Sequence, residues 1–196
     1  ILKRKGLEED TLVVFCTDHG DMMGHKGKGH KNRPEDTSSR TPIYLRCPGT
    51  LPAGIVRDGL VEAVDMPATF LDWAGLDPAE VLPGTPGESV LPHLRGEKPG
   101  QRNWTFTESG KWRMCCDPDY KYIRWDTGEE ELYRRNGDDP WEFENLAADP
   151  ACSQDLNRLR QNLLDSFLNN QNAREIGTKP PMDHWLERQL QDQDAG

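Results

Sequence analysis

The sequence predicts an α/β protein, and three observations carry that expectation. A β-branched, apolar run ends in a polar, glycine-rich loop, short strand-like runs alternate with turn residues further on, and a leucine stripe of helical period follows late in the chain. In chain order this gives the edge of an α/β layer structure over residues 1–100. A second unit follows over residues 101–196, in which a small antiparallel sheet packs on a C-terminal helix. At 34% hydrophobic residues over 196, the chain is expected to hold an incomplete core.

The opening ILKRKGLEED reads as the basic end of a helix stopped by Gly6. It carries no initiator Met, and an upstream portion is expected to precede it. Residues 11–16, TLVVFC, suit a strand covered on both faces, as in a parallel sheet flanked by helices. Ligands gather at the carboxyl ends of such strands, which is where Asp18, His19 and Gly20 fall. Residues 42–46, PIYLR, form the second strand. Asp65 then reads as an N-cap with Pro67 in the first helical turn; Phe70, Leu71, Trp73 and Ala74 supply apolar contacts, and Gly75 stops the helix. The proline-rich stretch 77–100 reads as an irregular connection.

Beyond it, residues 104–107, 111–115, 120–125 and 131–133 are strand-like runs. Ser109-Gly110, Asp117-Pro118-Asp119 and Thr127-Gly128 mark the turns between them. After Asp149-Pro150, Leu156, Leu159, Leu163, Leu164, Phe167 and Leu168 recur at helical spacing. One helix of about five turns should therefore cover the sheet with this stripe. Residues 171–196 are polar, with Pro180-Pro181 and an isolated Trp185, and are expected to wrap the surface or be partly mobile.

The net charge of −10 argues against a general affinity for nucleic acid or an anionic membrane, so a charged partner would need local positive potential. Five cysteines without CxxC or zinc-finger spacing argue against a disulfide framework. Cys47, Cys115, Cys116 and Cys152 are expected to be structural thiols, and Cys16 to lie in the core. No signal peptide and no apolar run of about 18 residues is read, so no membrane span is expected, and no compartment is assigned.

Asp18 and His19 have a plain alternative, since an Asp after a strand caps turns and a His often bonds only to backbone. Their context favours a metal site. Asp21 adds a carboxylate, and Lys26, Lys28, Lys31 and Arg33 with His25 and His30 concentrate cations in an acidic chain. Positive potential beside a metal is what an anionic ester requires as charge develops on its oxygens. A solvated basic loop is the competing reading. Nucleotide motifs fail on the same glycines. From Gly24 to Lys31, His30 takes the place of the P-loop lysine, and after Gly27 and Gly29 the third glycine of a dinucleotide fingerprint is Asn32.

Several stretches, in unbroken order, resemble the C-terminal part of a type I sulfatase of the alkaline phosphatase superfamily. Thr17-Asp18-His19-Gly20, followed by Asp21, Met22, Met23 and Gly24, resembles the family's Ser-Asp-His-Gly strand end. KNRPEDTSSRTP at 31–42 is similar to its lysine-proline-arginine block. VDMPATFLDWAGL at 64–76, ESVLPHLRG at 88–96, YKYIRW at 120–125 and ELYRRNGDDPWEFENLAADP at 131–150 resemble later segments. The fold so implied is the edge of an alkaline phosphatase-like α/β sandwich.

The resemblance implies that Asp18 and His19 ligate a divalent metal, calcium being usual for the family, with manganese or zinc left open by the imidazole. It implies that Lys31 contacts the sulfate group, with Lys26 and Lys28 as rivals. His25 or His30 is a candidate proton donor to the leaving group, and His25 a candidate substrate contact. The family's nucleophile is a Cys or Ser in a C/S-x-P-S-x-R sequence, oxidised in sulfatases to formylglycine, whose hydrated aldehyde attacks sulfur. No such motif occurs here. Cys116-Asp117-Pro118 leads into Asp119-Tyr120 and reads as a structural turn. Formylglycine is thus expected in a missing N-terminal half of the same protein, together with the other metal carboxylates. Glu35 stands where the family has an aromatic, Thr37 where it has a second acid, and Arg134-Arg135 where it has Asp-Leu.

The leading expectation is the C-terminal part of a metal-dependent sulfatase acting on sulfate esters, inactive as this chain alone. Two alternatives stand beside it: a phosphodiesterase or phosphonate monoester hydrolase of the same superfamily, and a non-catalytic fragment.

Overall fold

The computed structural model describes residues 1–98, 100 and 102–175. Its elements are α1 (Leu2–Lys5), β1 (Val13–Cys16), α2 (Asp36–Ser39), β2 (Ile43–Arg46), α3 (Asp65–Trp73), α4 (Pro78–Val81) and α5 (Leu91–Arg95). Then come β3 (Thr105–Ser109), β4 (Trp112–Cys116), β5 (Tyr120–Trp125), β6 (Glu130–Arg134) and α6 (Ser153–Glu175). The α/β class expected from the sequence is the one observed.

The first strand departs from its expectation. β1 pairs antiparallel with β2, Val13 opposite Arg46 and Cys16 opposite Ile43. Phe15 and Tyr44 remain 62% and 66% exposed, so the strand is not covered on both faces. β-Branched composition favours an extended backbone but does not choose partner or cover, which come from contacts remote in sequence. Cys16 is accordingly exposed rather than core, whereas Cys47, Cys115, Cys116 and Cys152 are buried free thiols.

Gly6 and Gly75 close α1 and α3 as read from the sequence. Gly75 has φ 75°, and the following amide of Leu76 donates to the Leu71 carbonyl at 2.9 Å. Asp65 is the first residue of α3 rather than its cap. Fully buried, its carboxylate accepts from the Glu62 and Glu88 amides at 2.8 and 2.9 Å and pairs with Arg102. The helix buries Met66, Ala68 and Thr69, and Phe70 faces out. The stretch expected to be irregular holds two short helices, α4 capped by Asp77 and α5 closed by Gly96.

Four strands form an antiparallel meander in the order β3-β4-β5-β6, close to the runs read from the sequence. Alternation gives the sheet two apolar faces. Cys115, Tyr120, Tyr122 and Leu132 pack with Cys152, Leu156 and Leu159, on and beside α6. Trp112, Met114, Cys116, Ile123 and Tyr133 cluster on the other face. Burying Leu156 and Leu159 contributes about 1.5–3 kcal/mol each.

Asp149 caps a short turn ahead of α6 by accepting the Ala151 amide at 2.9 Å. At 23 residues α6 outruns the five turns expected, and its stripe is only partly core, since Leu164 and Leu168 are each 52% exposed. Of the polar tail expected over 171–196, residues 171–175 continue the helix and the rest lies outside the described residues. Among the described residues no helix is long and apolar enough to cross a membrane.

Candidate functional site

Beyond β1 the chain turns through Thr17, Asp18, His19 and Gly20. The Asp18 carboxylate accepts the His19 amide at 3.0 Å, and the Thr17 hydroxyl donates to the His19 carbonyl at 3.1 Å, which fixes the turn locally. Gly20 donates its amide to the Ser38 carbonyl at 2.8 Å. A Cβ at Gly20 would lie 2.1 Å from the Thr37 carbonyl oxygen, so only glycine lets α2 seat so closely on this turn.

His19 is held at both ring nitrogens. Nδ1 lies 2.8 Å from the Gly20 carbonyl, and Nε2 lies 2.8 Å from Lys31 Nζ. A carbonyl only accepts and an ammonium only donates, so the network assigns the proton to Nδ1 and a lone pair to Nε2. Asp18 Oδ2 stands 3.5 Å from that same Nε2. Desolvation alone would raise the Asp18 carboxyl, but attraction to His19 and the amide hydrogen bonds hold it below its ordinary value. The cluster is open, the Asp18 and His19 side chains being 83% and 39% exposed.

Lys31 comes from a loop folded back on itself. The Met22 amide donates to the His30 carbonyl at 2.8 Å, and the Gly24 amide to the Lys28 carbonyl at 2.9 Å. His30 and Asn32, on either side of Lys31, have φ of 64° and 67°, the left-handed region that non-glycine residues enter at a cost. Trp112 of β4 donates its indole N–H to the Asn32 carbonyl at 3.1 Å. Arg33 next along forms a two-point pair with Glu35, at 2.8 and 3.2 Å, and lies 5.2 Å from the Trp125 ring centre. Burial would raise the Glu35 carboxyl, and the Arg33 hydrogen bonds bring it below the usual value instead. Glu35, where the family has an aromatic, thus serves as an anchor for Arg33.

The structure brings Asp18, His19 and Lys31 together. It sets His25 elsewhere, its ring 5.7 Å from that of Trp141 and 5.5 Å from that of Phe143. Lys26 is engaged over the Tyr133 ring at 4.8 Å, whereas Lys28 is exposed. Cys116-Asp117-Pro118 forms a turn in which Asp117 accepts the Asp119 and Tyr120 amides at 2.8 and 2.7 Å. The Cys116 thiol is pushed by burial to about 11, which removes its nucleophilic form near neutral pH.

Two residues that sequence reading did not single out, Lys121 and Glu142, hold the start of α2. Lys121, only 1% exposed, bonds to Asp36 Oδ1 at 2.6 Å and to the Glu142 carboxylate. Glu142 also accepts the Asp36 amide at 3.0 Å. Burial alone would lower the Lys121 ammonium, yet Asp36 and Glu142 keep it raised, and Asp36 is lowered in return. The available signal was a lysine inside the apolar run YKYI, with no indication of its partners.

A carboxylate oxygen and an imidazole nitrogen converging on one side would fit two positions of a divalent-metal shell once Lys31 Nζ, which takes the Nε2 lone pair here, turns away. Among the described residues no group of three or more His, Cys, Asp or Glu stands ready to hold a metal ion. Asp18 and His19 therefore fit as part of a ligand set.

A choline-sulfatase from Rhizobium meliloti is 31% identical over 161 residues, covering 76% of this chain and 29% of that protein. A phosphonate monoester hydrolase from Silicibacter pomeroyi superposes with a TM-score of 0.73 at 28% identity, over 86% of this chain and 37% of that one. A protein solved with its substrate D-glucosamine-2-N,6-O-disulfate gives a TM-score of 0.77 at 24% identity, over 87% of this chain and 37% of that one, which bears on fold alone. The chain thus spans about a third of the length of the relatives it matches. Residues 27–169 match the family described as N-sulphoglucosamine sulphohydrolase, C-terminal, and the chain belongs to that sulfatase family.

Proposed function

We propose that this chain forms the C-terminal part of a metal-dependent hydrolase that splits sulfate esters into alcohol and sulfate. The observation that carries the reading is the meeting of Asp18, His19 and Lys31 on one open surface. Lys31 would donate from its ammonium to the sulfate oxygens and offset charge on the departing alkoxide. His25, between Trp141 and Phe143, would contact the substrate beyond the sulfate group. Asp18 and His19 would hold one divalent metal, calcium by family resemblance and manganese or zinc by the imidazole. Bound there, the ion would supply positive charge at the ester oxygens. The nucleophile, formylglycine by the same resemblance, and the remaining ligands would come from sequence outside this chain.

A second reading keeps the site and changes the ester. The likeness to the Silicibacter pomeroyi phosphonate monoester hydrolase favours it, and a tetrahedral phosphonate monoester also presents singly charged oxygens that Lys31 would meet. The two readings separate in a side-by-side assay of a full-length protein carrying this chain, with an aryl sulfate and an aryl phosphonate. Faster sulfate release, lost in Asp18→Ala and on chelation, supports the sulfatase. Faster phosphonate hydrolysis supports the second reading, and hydrolysis of neither overturns both. The 196-residue chain alone is expected to release no sulfate, since it lacks the nucleophile motif.

A further inference from the structure

We infer that Trp112 is a positioning residue for Lys31: a rigid strand of the small sheet fixes, through one indole hydrogen bond, the backbone from which the sulfate-binding ammonium projects. The inference rests on the reading of Lys31 given above.

Lys31 lies between two non-glycine residues of positive φ, His30 at 64° and Asn32 at 67°. Each such conformation costs about 1 kcal/mol or more and persists only where neighbours hold it. Both carbonyls flanking Lys31 are held. That of His30 accepts the Met22 amide within the loop, and that of Asn32 accepts the Trp112 indole at 3.1 Å from 80 residues away. The first bond closes the loop on itself and opens more often when the loop is loosened. The second is external and ties the loop to another element.

Trp112 is suited to that task. It is 4% exposed, clusters with Met114, Cys116, Ile123 and Tyr133, and sits opposite Trp125 in the β4-β5 register. A ring so packed has little rotamer freedom, and its single polar atom leaves the sheet face toward Asn32. The adjacent Arg33 rests over Trp125, the cross-strand partner of Trp112, so residues 32 and 33 stand on one pair of indoles. A lysine stem carries several rotatable bonds, so the ammonium finds a small target reliably only if its own backbone is fixed.

The test uses Trp112→Phe in the full-length protein carrying this chain, which keeps an aromatic ring and deletes the N–H. Hydrogen exchange at the Met22 amide, bonded to His30, should accelerate about tenfold or more, while the Leu146 amide, bonded to Leu132 beside the sheet, stays unchanged. Unaltered exchange at Met22, or equal acceleration at both sites, overturns the inference. On an aryl sulfate, kcat/KM should fall about tenfold in Trp112→Phe and change less than about twofold when the substitution is added to Lys31→Ala, because a group acting through Lys31 loses its effect once Lys31 is gone. The same loss in both backgrounds overturns it as well. If Lys31→Ala itself leaves hydrolysis intact, the functional reading of Lys31 fails instead, and the exchange measurement still decides whether Trp112 holds the loop.

Discussion

Lys31 Nζ lies 2.8 Å from His19 Nε2, 12 residues earlier in the chain. That contact joins the turn after β1 to the residue just past the 22–30 loop closure and aims the Nε2 face of His19 at the ammonium. Lys26, one of its two rivals in the same loop, is turned over the Tyr133 and Phe143 rings. In a full-length protein carrying the chain, Lys31→Ala is therefore expected to lower kcat/KM for a sulfate ester by about 100-fold or more, the scale of one lost donor to developing charge. Lys26→Ala removes a cation–π contact and should stay within about threefold. Equal losses would reassign the anion-binding lysine.

Gly20 sets the distance between that site turn and α2. Adding a methyl group there drives it into the Thr37 carbonyl, 2.1 Å from the new Cβ, and neither backbone has a flexible end to move aside. Gly20→Ala should destabilise the protein by about 1–3 kcal/mol, as overpacking does. Gly29→Ala, where nothing lies within 4 Å, should change stability by about 0.5 kcal/mol or less. Denaturant midpoints compare the two, and indistinguishable midpoints would show that the close approach carries no energy.

How far this arrangement can be read from sequence depends on whether the determining contacts are local. The meander was legible because turn residues such as Ser109-Gly110 and Thr127-Gly128 are local signals, and β3 to β6 fall close to the runs they bound. The pairing of β1 was not, since TLVVFC encodes an extended backbone without naming β2 as its antiparallel partner. Asp18, His19 and Lys31 stood out by residue type, but Trp112 and Lys121 did not. Each acts on a residue 80 or more positions away, and in the strand pattern each reads as an ordinary core or solvent position.

The Lys121 cluster is the strongest case of such a distant dependence. Its ammonium is the shared partner of two carboxylates remote in sequence, so Lys121→Met leaves Asp36, at the start of α2, and Glu142 facing each other. A loss of about 3 kcal/mol is expected, because a buried charge without its partner costs more than the pair contributes. Adding Glu142→Gln removes one of the stranded charges and should recover part of that loss. Unfolding in denaturant measures both, and a double variant less stable than Lys121→Met would show that the three groups are not one unit.

Acid stability provides a test of how α6 is joined to the sheet. Arg160 from α6 donates to Glu130 of β6 with Nε at 2.8 Å and with one terminal nitrogen, while the Tyr122 hydroxyl donates at 2.6 Å and Arg124 lies at 3.2 Å. The Arg160 hydrogen bonds, helped by that of Tyr122 and opposed by desolvation, bring the Glu130 carboxyl from 4.5 to about 2. A carboxyl whose folded value is depressed adds stability that is fully present above its unfolded value, and the contribution declines as pH falls toward the folded value. The full shift would correspond to about 3 kcal/mol, but Arg160 is well exposed, and solvent screening reduces the expected contribution to about 1 kcal/mol. Glu130→Gln should therefore cost about 1 kcal/mol at pH 7, with the gap to the unaltered protein narrowing below about pH 4.5 and largely gone by about pH 2. Unfolding free energies of the two proteins across that range decide the point, since a gap that stayed constant or widened in acid would mean that the ionised Glu130 does not hold α6 to the sheet.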